Sequence, residues 1–175
     1  MNTVRLTHPW ARRVARECLF LTLLVMAGCA TTLRGQVLDA QTGQPIAGAV
    51  VLGVWSKGGG LPGLSHTELV GVREAETDAA GRFTLDGVSG LLLDEQSITV
   101  YKFGYVGWSN QLIFPGFKSR SDPRIPSEIR LEPFPPGGNH RDHIMFIQSA
   151  TSSTVSSRGD RGRFDDAIRR ESKMR

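Results

Sequence analysis

The apolar residues between positions 34 and 133 occur in short runs, which are separated by clusters of glycine, proline and aspartate. Within Arg82–Leu85 and Ser97–Tyr101 apolar and polar side chains alternate, the pattern of strands with one buried face. Asp78–Gly81 has the composition of a hairpin turn. The pattern predicts an all-β fold, specifically an antiparallel seven-stranded Greek-key β-sandwich. The candidate strands are Leu33–Leu38, Ala49–Trp55, Glu68–Thr77, Arg82–Leu85, Ser97–Tyr101, Gly107–Phe114 and Ser127–Leu131.

The expected hydrophobic core lies between the two sheets of this sandwich. Successive residues of a strand point to opposite faces, so only alternate side chains are expected to face inward. Ser56–Gly63, which includes three consecutive glycines, is predicted to be a loop. The predicted core residues are Val37, Val50, Phe83, Leu85, Val100 and Leu131.

The pattern changes after the Pro/Gly stretch at residues 135–138. Asp142–Ala150 is compatible with a short helix or a strand. Residues 160–173 predict a helix, because Phe164 and Ile168 lie on one face and acidic residues come early, where the helix dipole favours them. The chain therefore has a C-terminal extension beyond the predicted sandwich.

A secretory leader is indicated by the residues before Cys29. The apolar run Leu19–Met26 is far shorter than the roughly 20 residues needed to span a bilayer, and basic residues precede it. The tetrapeptide Met26–Cys29 resembles the cleavage site of bacterial lipoproteins. That resemblance implies acylation of Cys29, anchoring in the lipid bilayer, and, with Ala30 following, sorting to the outer membrane. The preceding basic residues are Arg5, Arg12, Arg13 and Arg16.

Charge and cysteine content exclude several classes of function. The leader carries four arginines and one glutamate, so the rest of the chain has 17 basic and 16 acidic residues. Such a balance provides no excess of basic residues of the kind that binds nucleic acid. Cys18 leaves with the leader and Cys29 is the expected lipid site, so neither a disulfide nor a thiolate metal centre is expected. No cofactor is predicted.

Three ordered blocks resemble the carboxypeptidase regulatory-like domain family, whose fold is a transthyretin-like sandwich. Gly35–Val51 is similar to the family's opening strand, its T-G-x-P-I turn and the strand that follows. Thr77–Leu85 is similar to its T-D-x-x-G-x-F hairpin, and Ile98–Tyr105 to its strand ending in a G-Y turn. The resemblance implies an accessory module. The expected organisation is a signal peptide (1–28), a tether (29–33), a β-sandwich (34–135) and a C-terminal extension (136–175).

Three aromatic residues beside glycine-rich segments are candidates for ligand contact. Trp108, Trp55 and Phe117 could stack on sugars or peptides. For Trp55 the alternative is a plug in the core between the sheets. Trp108, which lies between Gly107 and Ser109, is the better binding candidate.

Catalytic alternatives rest on few residues. Tyr101, Tyr105, His140 and His143 match in type the iron ligands of intradiol dioxygenases, which use a related sandwich, but their spacing differs. The competing interpretation is that the two tyrosines pack in the core and at a turn. The two histidines are then expected to be exposed to solvent. The zinc peptidase pair His-x-x-Glu is absent, as are the end motifs of transthyretin-like hydrolases.

The sequence therefore predicts a lipid-anchored envelope protein with a non-catalytic binding or structural module. Its expected partner is an envelope protein or a glycan. A small hydrolase or a non-haem iron dioxygenase on the same scaffold is one alternative. An accessory subunit of an envelope complex is another.

Overall fold

The computed structural model describes residues 32–59, 66–88, 95–152 and 162–173. The predicted leader, Cys29, most of the predicted tether and the second half of the predicted Ser56–Gly63 loop lie outside the described residues. The strands are β1 (Leu33–Asp39), β2 (Val50–Gly59), β3 (His66–Glu76), β4 (Arg82–Leu85), β5 (Glu95–Tyr101), β6 (Trp108–Ser109), β7 (Leu112–Ile113), β8 (Lys118–Ser119) and β9 (Glu128–Leu131), and the helices are α1 (His140–Ser152) and α2 (Gly162–Ser172).

The described strands form a mostly β structure with largely antiparallel sheets. One sheet has the order β4-β1-β9, a second has the order β3-β2-β5-β6, and β7 and β8 form a small ribbon. The pair β1–β9 is parallel, with Val37 opposite Ile129, which corrects the expectation of purely antiparallel pairing. The long connection between these two strands imposes no hairpin geometry, so a parallel arrangement is possible.

One hydrophobic core joins the two large sheets. Val37 and Phe83 come from the three-stranded sheet, and Val51 and Val100 come from the four-stranded sheet. The core predictions for five residues are confirmed, since each is at most 3% exposed and belongs to this cluster. These five are Val37, Phe83, Leu85, Val100 and Leu131.

Strand β2 is buried on both faces. Val51 and Trp55 point into the core between the sheets, whereas Val50, Leu52 and Val54 belong to a second cluster. The prediction that Val50 faces the core between the sheets is therefore wrong. The unbroken apolar sequence of this strand is the signature of burial on two sides.

The two helices cover the outer face of β2 and its neighbours. Phe146 and Ile147 of α1, together with Phe164 and Ile168 of α2, pack with the outward-facing side chains of β2. Helix α1 shows that Asp142–Ala150 is helical, and the predicted helix at 160–173 lies at Gly162–Ser172. Neither described helix is long and apolar enough to cross a bilayer.

Two predicted segments differ from the structure. Strand β2 continues through Ser56–Gly59, where a loop was expected, because β3 pairs with it as far as His66. The single strand predicted at Gly107–Phe114 is interrupted at Asn110. The Asn110 side chain accepts a hydrogen bond from the Ile98 amide at 2.7 Å and donates to the Gln96 carbonyl at 2.9 Å, while its own amide donates to the Ile98 carbonyl at 3.1 Å.

Candidate functional site

A groove of about 240 Å³ lies beside the edge strand β6. Trp108 is half-buried there, because one side of its ring packs on the core between the sheets. Leu112, Ile113 and Phe114 supply further apolar wall. Of the three aromatic residues proposed from the sequence for ligand contact, Trp108 is the one that lines this groove.

Arg120 fixes the polar side of the groove. Its guanidinium carbon lies 5.2 Å from the centre of the Trp108 ring, and its Nε donates to the Ser109 carbonyl at 2.6 Å. Partial burial lowers the pKa of Arg120 from its usual value. Arg130 and Glu132 complete the polar lining, and Arg130 also pairs with Glu128 at 3.2 Å. The groove thus combines an apolar wall with a cation held over the Trp108 ring, which suits a ligand with both an apolar part and hydrogen-bond acceptors.

Trp55 and Phe117 lie elsewhere. Trp55 is 3% exposed in the core between the sheets, which favours its alternative role as a core plug over contact with a ligand. Phe117 has a positive φ of 55°, and its ring lies 6.0 Å from that of Phe146. It is not among the residues that line the groove.

A buried polar network connects the two helices to β5. The Glu171 carboxylate lies 2.7 Å from His140 Nδ1 and 2.8 Å from His143 Nδ1 through its Oε1 atom. Its Oε2 atom accepts a hydrogen bond from the Tyr101 hydroxyl at 2.8 Å. Phe114 and Phe134 pack against the His143 ring, with centroid distances of 5.1 Å and 4.8 Å. The prediction that the two histidines are solvated is wrong for His143, which is 0% exposed, whereas the His140 side chain is 28% exposed.

The tautomer of His143 follows from its partners. Its Nε2 accepts a hydrogen bond from the Gly107 amide at 2.8 Å, so the proton of a neutral ring resides on Nδ1 and is donated to Glu171. Burial alone would raise the pKa of Glu171, but hydrogen bonds from His143, His140 and Tyr101 outweigh it and hold the pKa below its usual value. Burial, reinforced by the hydrogen bond to Glu171, raises the pKa of Tyr101 above its usual value.

The iron-ligand hypothesis is not matched by this geometry. Three of its four residues converge, but Tyr105 lies apart and donates to Asp39 Oδ2 at 2.9 Å. Tyr101 is buried under the helices and not between the sheets, which corrects its expected position. Among the described residues no group of His, Cys, Asp and Glu side chains has the arrangement of a metal site.

Glu171 was missed by the sequence reasoning. It follows Phe164 by seven residues and Ile168 by three, and therefore lies on the apolar face of α2. A carboxylate on an apolar helix face is the signal that could have found it, since a buried charge requires partners.

Comparisons with known proteins identify no family for this chain. No protein-family model matches it, and no curated protein matches it. Among solved structures, 59% of the chain is similar to part of a 9R-lipoxygenase from Cyanothece PCC8801, at 16% identity and a TM-score of 0.29. The match spans 16% of the lipoxygenase chain, and a similarity this low supports no conclusion about fold or activity.

Proposed function

We propose that this chain is an envelope lipoprotein, tethered to the outer membrane through acylated Cys29, with a non-catalytic binding module. In this proposal the two large sheets form a seven-stranded Greek-key sandwich of the carboxypeptidase regulatory-like type. The Trp108 groove contacts an envelope protein or a glycan. The half-buried Trp108 ring held beside Arg120 is the observation that carries the proposal.

The buried network favours a structural interpretation over the hydrolase or dioxygenase alternative. Tyr101, His143 and Glu171 are at most 2% exposed, and the hydrogen-bonding atoms of their side chains contact one another, His140 or the backbone. A substrate would have to displace these bonds to reach them. The network therefore supports the attachment of the helices.

An accessory subunit of an envelope complex is the second candidate. Met145 of α1 is 50% exposed, and Phe117, packed beside Phe146 of the same helix, is 38% exposed. Large exposed apolar side chains are the observation that favours contact with another protein.

Trp108→Ala is expected to weaken partner binding by roughly tenfold or more, because aromatic anchors in partly buried sites carry much of the affinity of an interface. Binding is measured by retaining partners from solubilised envelopes on the immobilised protein. Met145→Ser, which removes an exposed apolar side chain outside the groove, is the control and should bind normally.

A modest fall in the melting temperature is expected for Trp108→Ala, because the ring also packs on the core. Trp108→Phe should recover most of the stability and part of the binding. Equal binding of the partner by Trp108→Ala and the wild type would exclude the groove as the binding site.

Cys29→Ser is expected to leave the protein unprocessed or to release it from the membrane fraction. Serine offers no thiol for the diacylglyceryl group, and the anchor would be lost with its roughly 0.8 kcal/mol per buried CH₂. Mass analysis of the mature N-terminus should find acylated Cys29 in the wild type. An unmodified N-terminus at another residue would exclude lipidation.

A further inference from the structure

A second depression, separate from the Trp108 groove, lies where the start of β2, the end of β5 and helix α2 meet. Its volume is about 230 Å³, and it shares no lining residue with the groove. Three cationic side chains line it, namely Lys102, Arg163 and Arg170.

Gly48 keeps the floor of this depression open. Its φ is +67°, and a Cβ atom at this position would lie 2.9 Å from Lys102 Nζ and 3.2 Å from Glu76 Oε1. The absence of a side chain lets the Lys102 ammonium approach and donate to the carbonyls of Ala47 at 2.7 Å and Gly48 at 3.2 Å. The ammonium is therefore held at a defined place, on the same side of Gly48 as the Glu76 carboxylate.

Helix α2 places two arginines over the same depression. Arg163 and Arg170 are seven residues apart, so they lie on one face of the helix, about 10.5 Å apart along its axis. The helix is fixed because Glu74 accepts hydrogen bonds from the amides of Arg163 and Phe164 at 3.2 Å and 2.9 Å. Within the part of the chain that the structure describes, neither arginine side chain forms an ion pair.

The local charge balance favours an anion. Two carboxylates also line the depression, Glu76 and Asp166. Asp166 is paired with Arg169 at 3.1 Å, which leaves Glu76 against the three cations. Arginine offers a planar fork of donors and lysine a point charge, and both are used to bind phosphate.

We propose that the depression binds a phosphate group through Lys102, Arg163 and Arg170. Phe103, adjacent to Lys102 and 42% exposed, also lines it. An exposed aromatic beside basic residues suits a membrane surface with anionic lipids, and the phosphate is then that of a lipid headgroup. The proposal is independent of the Trp108 groove, so failure of either leaves the other unaffected.

The first test is a calorimetric titration of the full chain, as isolated in a maltoside detergent, with sodium phosphate at constant ionic strength. Saturable binding is expected for the wild type, and Arg163→Gln with Arg170→Gln should weaken it by about tenfold or more. The control removes the same charge elsewhere, through Arg34→Gln with Arg141→Gln, two exposed arginines outside the depression. Equal weakening in both double variants would overturn the proposal.

The second test distinguishes a lipid headgroup from free phosphate. The full chain carrying Cys29→Ser is floated with phosphatidylcholine vesicles that contain or lack phosphatidylglycerol. All variants are compared in the same processed or unprocessed form, so that the four arginines of the leader contribute equally. Loss of the two arginines should reduce binding to the anionic vesicles by about 30-fold, at about 1 kcal/mol for each basic residue near the surface.

Phe103→Ser separates the two sources of phosphate. It should reduce vesicle binding further while leaving the phosphate titration unchanged. If none of these substitutions changes vesicle binding, while the wild type still binds phosphate in the titration, the site binds free phosphate and the lipid assignment is overturned.

Discussion

Replacing Phe83 by alanine should lower the free energy of unfolding by about 3–5 kcal/mol, the range found for truncating a fully buried aromatic. Phe83 is 3% exposed in β4, and its ring lies over Gly35 of β1, where a Cβ would come within 2.7 Å of Phe83 Cζ. The deletion therefore leaves a cavity at the contact of β4 and β1. Chemical denaturation followed by circular dichroism measures the change.

Thr84→Ala is the matched control for Phe83→Ala, since Thr84 is exposed in the same strand and points to the other face. We expect the control to cost less than about 1 kcal/mol. If Phe83→Ala does not fold, Phe83→Leu leaves a smaller cavity and should give a measurable, smaller loss. A loss below about 1 kcal/mol for Phe83→Ala would mean that β4 has a different register.

Glu171→Ala should also be strongly destabilising, by about 2–5 kcal/mol, because buried donors left without acceptors cost about 1–3 kcal/mol each. The donors that lose their acceptor are His143 Nδ1 and the Tyr101 hydroxyl, both at 0% exposure, and His140 Nδ1. Glu171→Gln keeps the shape and one acceptor oxygen, so a smaller loss is expected. Arg169→Ala, an exposed neighbour on the same helix, is the control.

The contribution of Glu171 should depend on pH in a defined direction. Its carboxyl has a folded-state pKa below the usual 4.5. The stabilisation is thus complete above about pH 4.5 and is lost as the pH falls below that value toward the folded-state pKa. The stability difference between wild type and Glu171→Gln should shrink over that acid range. A difference that stays constant to the lowest pH at which the protein folds would contradict the network.

The sequence predicted the strands whose side chains alternate or whose ends carry strong turn signals. It predicted the burial of Phe83 and Leu85 because their strand contacts one core on one face. It misplaced Val50, since the orientation of a strand buried on both faces cannot be read from a continuous apolar run. That strand is covered by helices that lie far along the chain, and no local sequence pattern indicates which of its two faces they cover.

The candidate sites were predicted less completely for the same reason. Trp108 was proposed because aromatics near glycine-rich loops can stack on ligands, but its neighbour Arg120 reaches it only through the turn at β7 and β8. Glu171 and Tyr101 are 70 positions apart, and their hydrogen bond depends on the docking of α2. Lys102, Arg163 and Arg170 likewise converge only in the folded chain.

The docking of α2 on the sheet has a consequence for biogenesis. Glu74 and Tyr101 belong to strands made early, whereas the helix that they hold is made about 70 to 90 positions later. The sheet can therefore assemble while Val50, Leu52 and Val54 still face water on its outer side. The time spent in that half-covered state, and not the final stability, determines how long a newly made chain is exposed to aggregation and proteolysis.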